Sequence, residues 1–324
     1  MSRIALIVQP GATPSSVMMS LDMVAIASRF PEGAACRLDL LSLDGGCVRL
    51  SSAVCVETQA MPGVLEGYAA VILPGFFAAD IESLVGQVRS GWQPVIARLH
   101  GLAPETLVAA SCYGTFVLAE SGLLDDGPAT TTWWLEGEFQ RRFPRVRLTA
   151  EKALVDGGRC ITAGAMTAHA DLTLHVLRRL FGAALARQVG RIMLVDGART
   201  SQRPFASLPR QFDDPLAQRA ADWLAAHRHE PVSTPEVAAA MHVSYRTLHR
   251  RFQAATGMAP LAYLQDLRVE MAKELLESTR LSLEQVVERT GYADVSAFRR
   301  LFARRVGLAP ALYRQRFRQP GAGS

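Results

Sequence analysis

Apolar residues recur along this chain with two different periods, and the change of period divides it. From Ile4 to Val8 they are consecutive, the pattern of a short strand buried on both faces of a parallel sheet. After Pro10-Gly11, the residues Val17, Met18, Leu21, Val24 and Ile26 follow a helical spacing over about 15–29. The pattern predicts further strands at 37–43, 53–57 and 71–73, and helical segments near 80–99 and 132–142. Strands alternating with helices predict an α/β domain with a largely parallel sheet and helices on both faces, over residues 1–195. Across 196–214 neither period survives. Gly197, Pro204 and Pro209 stand there among polar residues, which predicts a linker. Beyond it only the helical period remains, so 215–318 is predicted to be all-α, with 319–324 a disordered tail.

One pattern occurs twice in the helical part. In the later copy Leu283, Val286 and Val287 make an apolar stripe behind Ser282, a capping residue. Gly291 supplies the positive φ that ends this helix. Asp294 caps the next, whose inner side is Ala297, Phe298, Leu301 and Phe302 and whose free side shows Ser296, Arg299, Arg300 and Arg304. About fifty residues earlier, Thr234-Pro235-Glu236 opens a helix and Ser244 caps another carrying Arg246, Leu248, His249, Arg250 and Phe252. Leu248 matches Phe298, Arg250 matches Arg300 and Phe252 matches Phe302. Further on, Gly257, Pro260 and Tyr263 match Gly307, Pro310 and Tyr313, while the later turn is one residue longer. Between the copies, Leu261, Leu264, Leu267, Val269, Ala272, Leu275 and Leu276 predict one long helix that holds the two hairpins apart. A helix-turn-helix with arginines on its free face is a form that enters the DNA major groove, and a repeat outweighs any single motif.

On these residues, together with Ala238, Tyr292 and Arg314, the stretch from Asp214 to Arg318 resembles the DNA-binding domain of the AraC/XylS family of bacterial transcription regulators. The resemblance implies double-stranded DNA as a partner, with RNA polymerase a further one, and activation as the usual outcome. Arg246, His249 and Arg250 fall on the first recognition helix, and Ser296, Arg299 and Arg300 on the second. Arg304 and Arg314 are read as phosphate contacts. Val287 departs from the family's pattern, which has a small residue there.

Charge supports that division. Residues 214–324 hold 16 Arg plus Lys against 11 Asp plus Glu, while 1–213 hold 19 of each. The whole excess of +5 therefore sits where phosphates would be met. The apolar share of 49% is spread too evenly for a membrane span, and Ile4–Val8 is too short for a signal-peptide core, so cytoplasm is the expected compartment. Five cysteines without a CxxC pair predict neither a metal site nor a disulfide framework, and no cofactor is indicated.

The chemistry in the first domain centres on Cys112. The apolar run Leu107–Ser111 reads as a strand, and a helix starts by Thr115, so Cys112 sits on the sharp turn between them. That is the geometry of a nucleophile elbow, with the helix N-terminus expected to lower the thiol pKa. Pro10-Gly11, Asp22, Pro74-Gly75, the elbow, Glu120-Ser121-Gly122, Thr130–Trp133 and Thr162-Ala163-Gly164 resemble the PfpI branch of the class I glutamine amidotransferase-like superfamily. The resemblance implies a flavodoxin-like fold and a dimer. Joined to the second domain, it resembles the GlxA type of regulator.

Two readings follow for this domain. Tyr113, Thr132 and Ser16 stand where catalytic relatives carry His, His and Glu, so a nucleophile without a base argues against an enzyme. The domain is then a sensor, with a small molecule bound among Gly75, Phe76, Cys112, Tyr113, Thr132, Trp133 and His169. The resemblance implies amino acids or methylated amines as the class. The alternative is a Cys112-dependent amidase or hydrolase with His169 as its base.

Overall fold

The computed structural model describes residues 2–195, 197, 199–208 and 211–318, in two compact units that part between Gln202 and Arg203. The expected tail at 319–324 lies outside the described residues. Among the described residues no helix is long and apolar enough to cross a membrane.

The first unit is built on an eight-stranded sheet. Its strands are β1 (Ser2–Ile7), β2 (Cys36–Ser42), β3 (Gly46–Arg49), β4 (Cys55–Ala60), β5 (Tyr68–Leu73), β6 (Leu107–Ser111), β9 (Leu154–Asp156) and β10 (Cys160–Ala163), while β7 (Pro128–Ala129) and β8 (Arg147–Leu148) pair apart from it. The order is β3-β4-β2-β1-β5-β6-β10-β9. Pairings from β4 through to β10 are parallel, and only the edge pairs β3–β4 and β9–β10 are antiparallel. Stripped of its edges the order is that of a flavodoxin-like sheet, with the topological switch between β1 and β5. The consecutive apolar residues of β1 serve both faces. Ala5 and Ile7 enter one core with α2 (Ile81–Ser90), α3 (Gln93–His100), α4 (Gly114–Glu120) and α5 (Glu136–Arg142). Ile4 and Leu6 enter the other with α1 (Pro14–Ala27), α6 (Ala168–Phe181) and α7 (Ala183–Met193).

Two predicted helices are interrupted. Across 80–99 the chain breaks at Gly91-Trp92, where Trp92 turns its ring into the core and Pro94 takes a first-turn position of α3. Across 132–142 a 3₁₀ turn, Trp133–Leu135, precedes α5. The predicted linker is also anchored. The Gln202 side chain is buried and donates to the carbonyls of Thr131 (2.8 Å) and Ala150 (2.7 Å) while accepting from the Ala165 N–H (2.9 Å), so the first unit extends beyond 195.

The second unit contains α8 (Pro215–Ala226), α9 (Thr234–Ala240), α10 (Tyr245–Thr256), α11 (Pro260–Ser278), α12 (Leu283–Arg289), α13 (Val295–Val306) and α14 (Pro310–Phe317). The repeat becomes two small cores. Leu248, Phe252, Tyr263 and Leu264 close the first, and Phe298, Phe302, Val306 and Tyr313 the second. The 19-residue α11 belongs to both, giving Tyr263 and Leu264 to one and Val269, Ala272 and Leu276 to the other. At about 1.5 Å per residue it is a strut of about 28 Å.

Candidate functional site

The helices expected to read DNA, α10 and α13, start on caps that the sequence supplies. Ser244 Oγ accepts the Thr247 N–H (3.2 Å), and Asp294 Oδ1 accepts those of Ser296 (2.8 Å) and Ala297 (3.1 Å). Both helices end on left-handed glycines, Gly257 at φ 74° and Gly307 at φ 78°. In the turns before them, His242 (φ 54°) takes the left-handed position that Gly291 (φ 75°) takes in the later copy. Leu248 and Phe252 on α10, and Phe298 and Phe302 on α13, are fully buried, which turns the opposite sides outward.

On those outer sides Arg246, Arg250, Ser296, Arg299, Arg300 and Arg304 are exposed and His249 is half-buried beside the exposed Tyr245 ring. Among the described residues no carboxylate lies within ion-pair distance of these arginines, and only Glu284 is near enough to Arg299 to have its pKa lowered by it. Their neighbours differ. Arg251 donates twice to Asp214 (2.9 and 2.8 Å), and Arg305 lies 2.9 Å from Asp266. On α10 and α13 the arginines that face the protein, Arg251 and Arg305, are thus ion-paired, and those facing outward are not. Arg314 falls on the inner side. Its guanidinium donates to the Leu281 carbonyl at 2.7 Å, and burial lowers its pKa, so it is engaged within the protein as well as expected at a phosphate.

The two hairpins are tied at one junction. Arg268 of α11, nearly buried, donates to the carbonyls of Arg228 (2.8 Å) and Glu230 (2.6 Å), and its guanidinium lies 5.1 Å from the Tyr292 ring centroid. Gly291 packs so closely against this loop that a Cβ there would come within 2.7 Å of the His229 carbonyl oxygen.

In the first unit the residues expected to line a ligand crevice gather at the carboxyl ends of β1, β5 and β6, beside the switch point where open α/β sheets bind ligands. Cys112 follows β6 with φ 52°, the strained geometry of an elbow. Gly75, after β5, lies against it: a Cβ on Gly75 would be 2.9 Å from Cys112 Cβ and 3.2 Å from Thr13 Oγ1. The loop after β1 closes the third side, with the Thr13 N–H donating to the Gly75 carbonyl at 2.8 Å. Tyr113 is half-buried, and Trp134 Nε1 donates to its hydroxyl at 3.4 Å, while Trp133 meets Trp134 edge-on at 5.2 Å. Phe76 is buried, like Gly75, Cys112 and Thr132. It lies between Trp92 (5.2 Å) and Tyr113 (6.0 Å) and supports Tyr113 from behind. Gln9 Nε2 and Thr132 Oγ1 are buried without a protein partner among the described residues. Gln9 and Thr13 were not singled out from the sequence, although they flank the Pro10-Gly11 that was.

Two chemical expectations at Cys112 are corrected. Burial pushes its thiol up to about 12, against which the Tyr113 backbone N–H works only weakly. Desolvation outweighs the short helix behind it. His169 does not reach the crevice as a base or a ligand group. It is fully buried, with Nδ1 at 2.8 Å from Ser111 Oγ and Nε2 at 2.8 Å from Ser20 Oγ. Ser20 already donates to the Ser16 carbonyl at 3.0 Å, so Nε2 carries the ring proton and Nδ1 accepts from Ser111. Burial lowers the imidazole pKa to about 4, so the ring is neutral.

A helix-turn-helix domain model matches residues 237–316. Over most of its length the chain is similar to the HTH-type transcriptional regulator CdhR of Pseudomonas aeruginosa, 28% identical over 309 residues, which is 93% of this chain and 88% of that protein. It is similar also to the HTH-type transcriptional regulator GbdR of the same species, 26% identical over 305 residues, or 93% and 80% of the two chains. Among solved structures, an AraC family transcriptional regulator from Pseudomonas putida aligns with 60% of this chain and 100% of its own, at 18% identity and a TM-score of 0.47.

Proposed function

We propose that this chain, which carries a helix-turn-helix domain and is similar to HTH-type transcriptional regulators, binds DNA through its second unit and is an activator switched by a small metabolite held in the first unit. In this reading α10 and α13 enter successive major grooves about 34 Å apart. Arg246, His249, Arg250, Ser296, Arg299 and Arg300 read base edges, the arginines by bidentate pairing with guanine. Arg304 neutralises a phosphate and fixes register. The observation that carries the reading is the sorting of charge on α10 and α13: Arg251 and Arg305 are ion-paired, while Arg250, Arg300 and Arg304 are exposed without a carboxylate partner among the described residues.

The first unit supplies the effector site. Gly75, Cys112, Tyr113, Thr132 and Trp133 surround the ligand, with Gln9 and Thr13 added. Buried, unpartnered Gln9 Nε2 and Thr132 Oγ1 provide a donor and a hydroxyl for a carboxylate. The aromatic groups Tyr113 and Trp133 suit an ammonium or methylated ammonium by cation–π attraction. An amino acid or betaine carries both groups. Cys112 is a wall of this site and not a nucleophile. The first units pair into a homodimer, so two copies read two half-sites and present RNA polymerase with a fixed surface; the working compartment is the cytoplasm.

Selection of binding sequences from a random duplex library by the full chain tests the DNA reading. The expected product is an enriched site with two conserved blocks about one helical turn apart. Enrichment of no sequence over the input library would overturn it.

A further inference from the structure

The edge hairpin β3–β4 carries a chemical feature that neither DNA reading nor effector binding uses. Its strands pair Cys47 with Glu57, Val48 with Val56 and Arg49 with Cys55. Val48 faces the core and the buried Thr58 is held by Ser42 Oγ at 2.7 Å and the Gly46 carbonyl at 2.8 Å. The odd-numbered residues take the other face, and there Cys47, Arg49, Cys55 and Glu57 are all exposed. Cys47 and Cys55 are diagonal neighbours on that face, and the right-handed twist of a two-stranded ribbon brings such a diagonal together. The nearness of Cys55 pushes the Cys47 thiol above its usual range. The other cysteines, Cys36, Cys112 and Cys160, are buried.

This hairpin is wired to the crevice. The Arg49 carbonyl accepts the Gly11 N–H at 3.2 Å, and the Ser51 N–H donates to the Ala12 carbonyl at 3.1 Å. Those two bonds hold the loop 10–13, whose Thr13 lies against Gly75 and Cys112.

We propose that Cys47 and Cys55 are an oxidation site, a thiol pair that a peroxide converts to an intramolecular disulfide, and that this bond stiffens the loop 10–13 at the effector crevice. The exposed Cys55, its proton lost to solvent, provides the first thiolate. Its sulfur attacks one oxygen of hydrogen peroxide. The S–O bond forms as the O–O bond breaks, and the departing hydroxide takes up a proton to become water. Cys47, its proton lost to solvent, then attacks the Cys55 sulfur. The S–S bond forms, the S–O bond breaks, and the second oxygen leaves as water. Two sulfurs supply the two electrons that reduce one peroxide. The exposed edge position of β3 lets its backbone move the short distance that disulfide geometry asks for.

Thiol titration of the full chain in denaturant tests this. The five thiols should fall to three after one equivalent of hydrogen peroxide and return to five with dithiothreitol, with peptide mapping joining Cys47 to Cys55. Cys47→Ser and Cys55→Ser, both surface changes, should each prevent the cross-link, and Cys112→Ser should not. Amide exchange at Gly11 and Thr13 should slow several-fold in the oxidised protein and stay unchanged in peroxide-treated Cys55→Ser. Five thiols persisting, a different cysteine pair, or unaltered exchange in the cross-linked chain would each overturn the proposal.

Discussion

The Ser111 hydroxyl donates to Nδ1 of His169 across 2.8 Å, one residue before the elbow cysteine. The imidazole is therefore spent on fastening β6 to α1 and α6, and Cys112 turns the other way, toward Gly75. The Cys–His pair required by a hydrolase does not form.

Cys112 should accordingly be inert. With its thiol pushed up to about 12, the thiolate fraction near neutral pH is negligible. Iodoacetamide should label Cys47 and Cys55 in the native protein and leave Cys112 unmodified, as read by peptide mass mapping. Cys112→Ser should keep regulation in a reporter assay. A variant that folds and binds DNA yet no longer responds would restore the enzymatic alternative.

His169 makes stability depend on acid. Its folded pKa of about 4 lies below the unfolded value near 6.5, so between those limits the unfolded chain binds the extra proton. Stability from this group is complete above pH ~6.5 and declines as pH falls toward ~4, by on the order of 3 kcal/mol. Denaturant unfolding of the first unit across that window should show the decline, and His169→Asn should flatten it while lowering stability at neutral pH. An unchanged slope in the variant would show that other groups carry it.

On the DNA face, Arg250→Ala and Arg300→Ala should each weaken specific binding by about 1–3 kcal/mol and relax preference at one base position. Arg304→Ala should instead weaken all sequences alike and reduce the salt slope by about one. Arg314→Ala should in addition lower thermal stability. Titrations at several salt concentrations, with melting temperatures, separate the three.

Gly291→Ala should destabilise the second unit by about 1–3 kcal/mol. An alanine there must adopt φ 75°, and its Cβ would meet the His229 carbonyl oxygen at 2.7 Å. His242→Ala, at the matching position of the first hairpin, should cost less, because it meets only the backbone preference. Melting temperatures of the pair give the comparison.

An effector should announce itself by linkage. At about a hundred times its dissociation constant, an amino acid or betaine should stabilise the full chain by about 2.7 kcal/mol, seen as a raised melting temperature. Tyr113→Ala should abolish that shift while DNA affinity without effector is unchanged.

What the sequence made legible was local. Caps at Ser244 and Asp294, glycines at 257 and 307 and the aromatic pairs Phe252/Phe302 and Tyr263/Tyr313 each determine their own few residues, and the repeat verified them against one another. The elbow was readable too, from a fully apolar strand running into Gly114. Contacts between distant residues were not. Ser20 and Ser111 lie 149 and 58 positions from His169, so its seat between them leaves no periodic trace. Arg314 looks like any surface arginine until α14 is docked against the Leu281 carbonyl. The break at Gly91-Trp92 was masked because α2 and α3 both contribute apolar residues at helical spacing on either side of it.

In the proposed reading, the shared strut α11 ties DNA phasing to protein length. Its two ends are locked into separate cores and clamped midway by Arg268, so neither reading helix can swivel alone. One residue inserted near its midpoint would rotate one reader against the other by about 100° and lengthen the span by about 1.5 Å. Both grooves could then be met only on an operator whose blocks had shifted in step, so the number of residues in a single helix acts as the ruler for base-pair spacing.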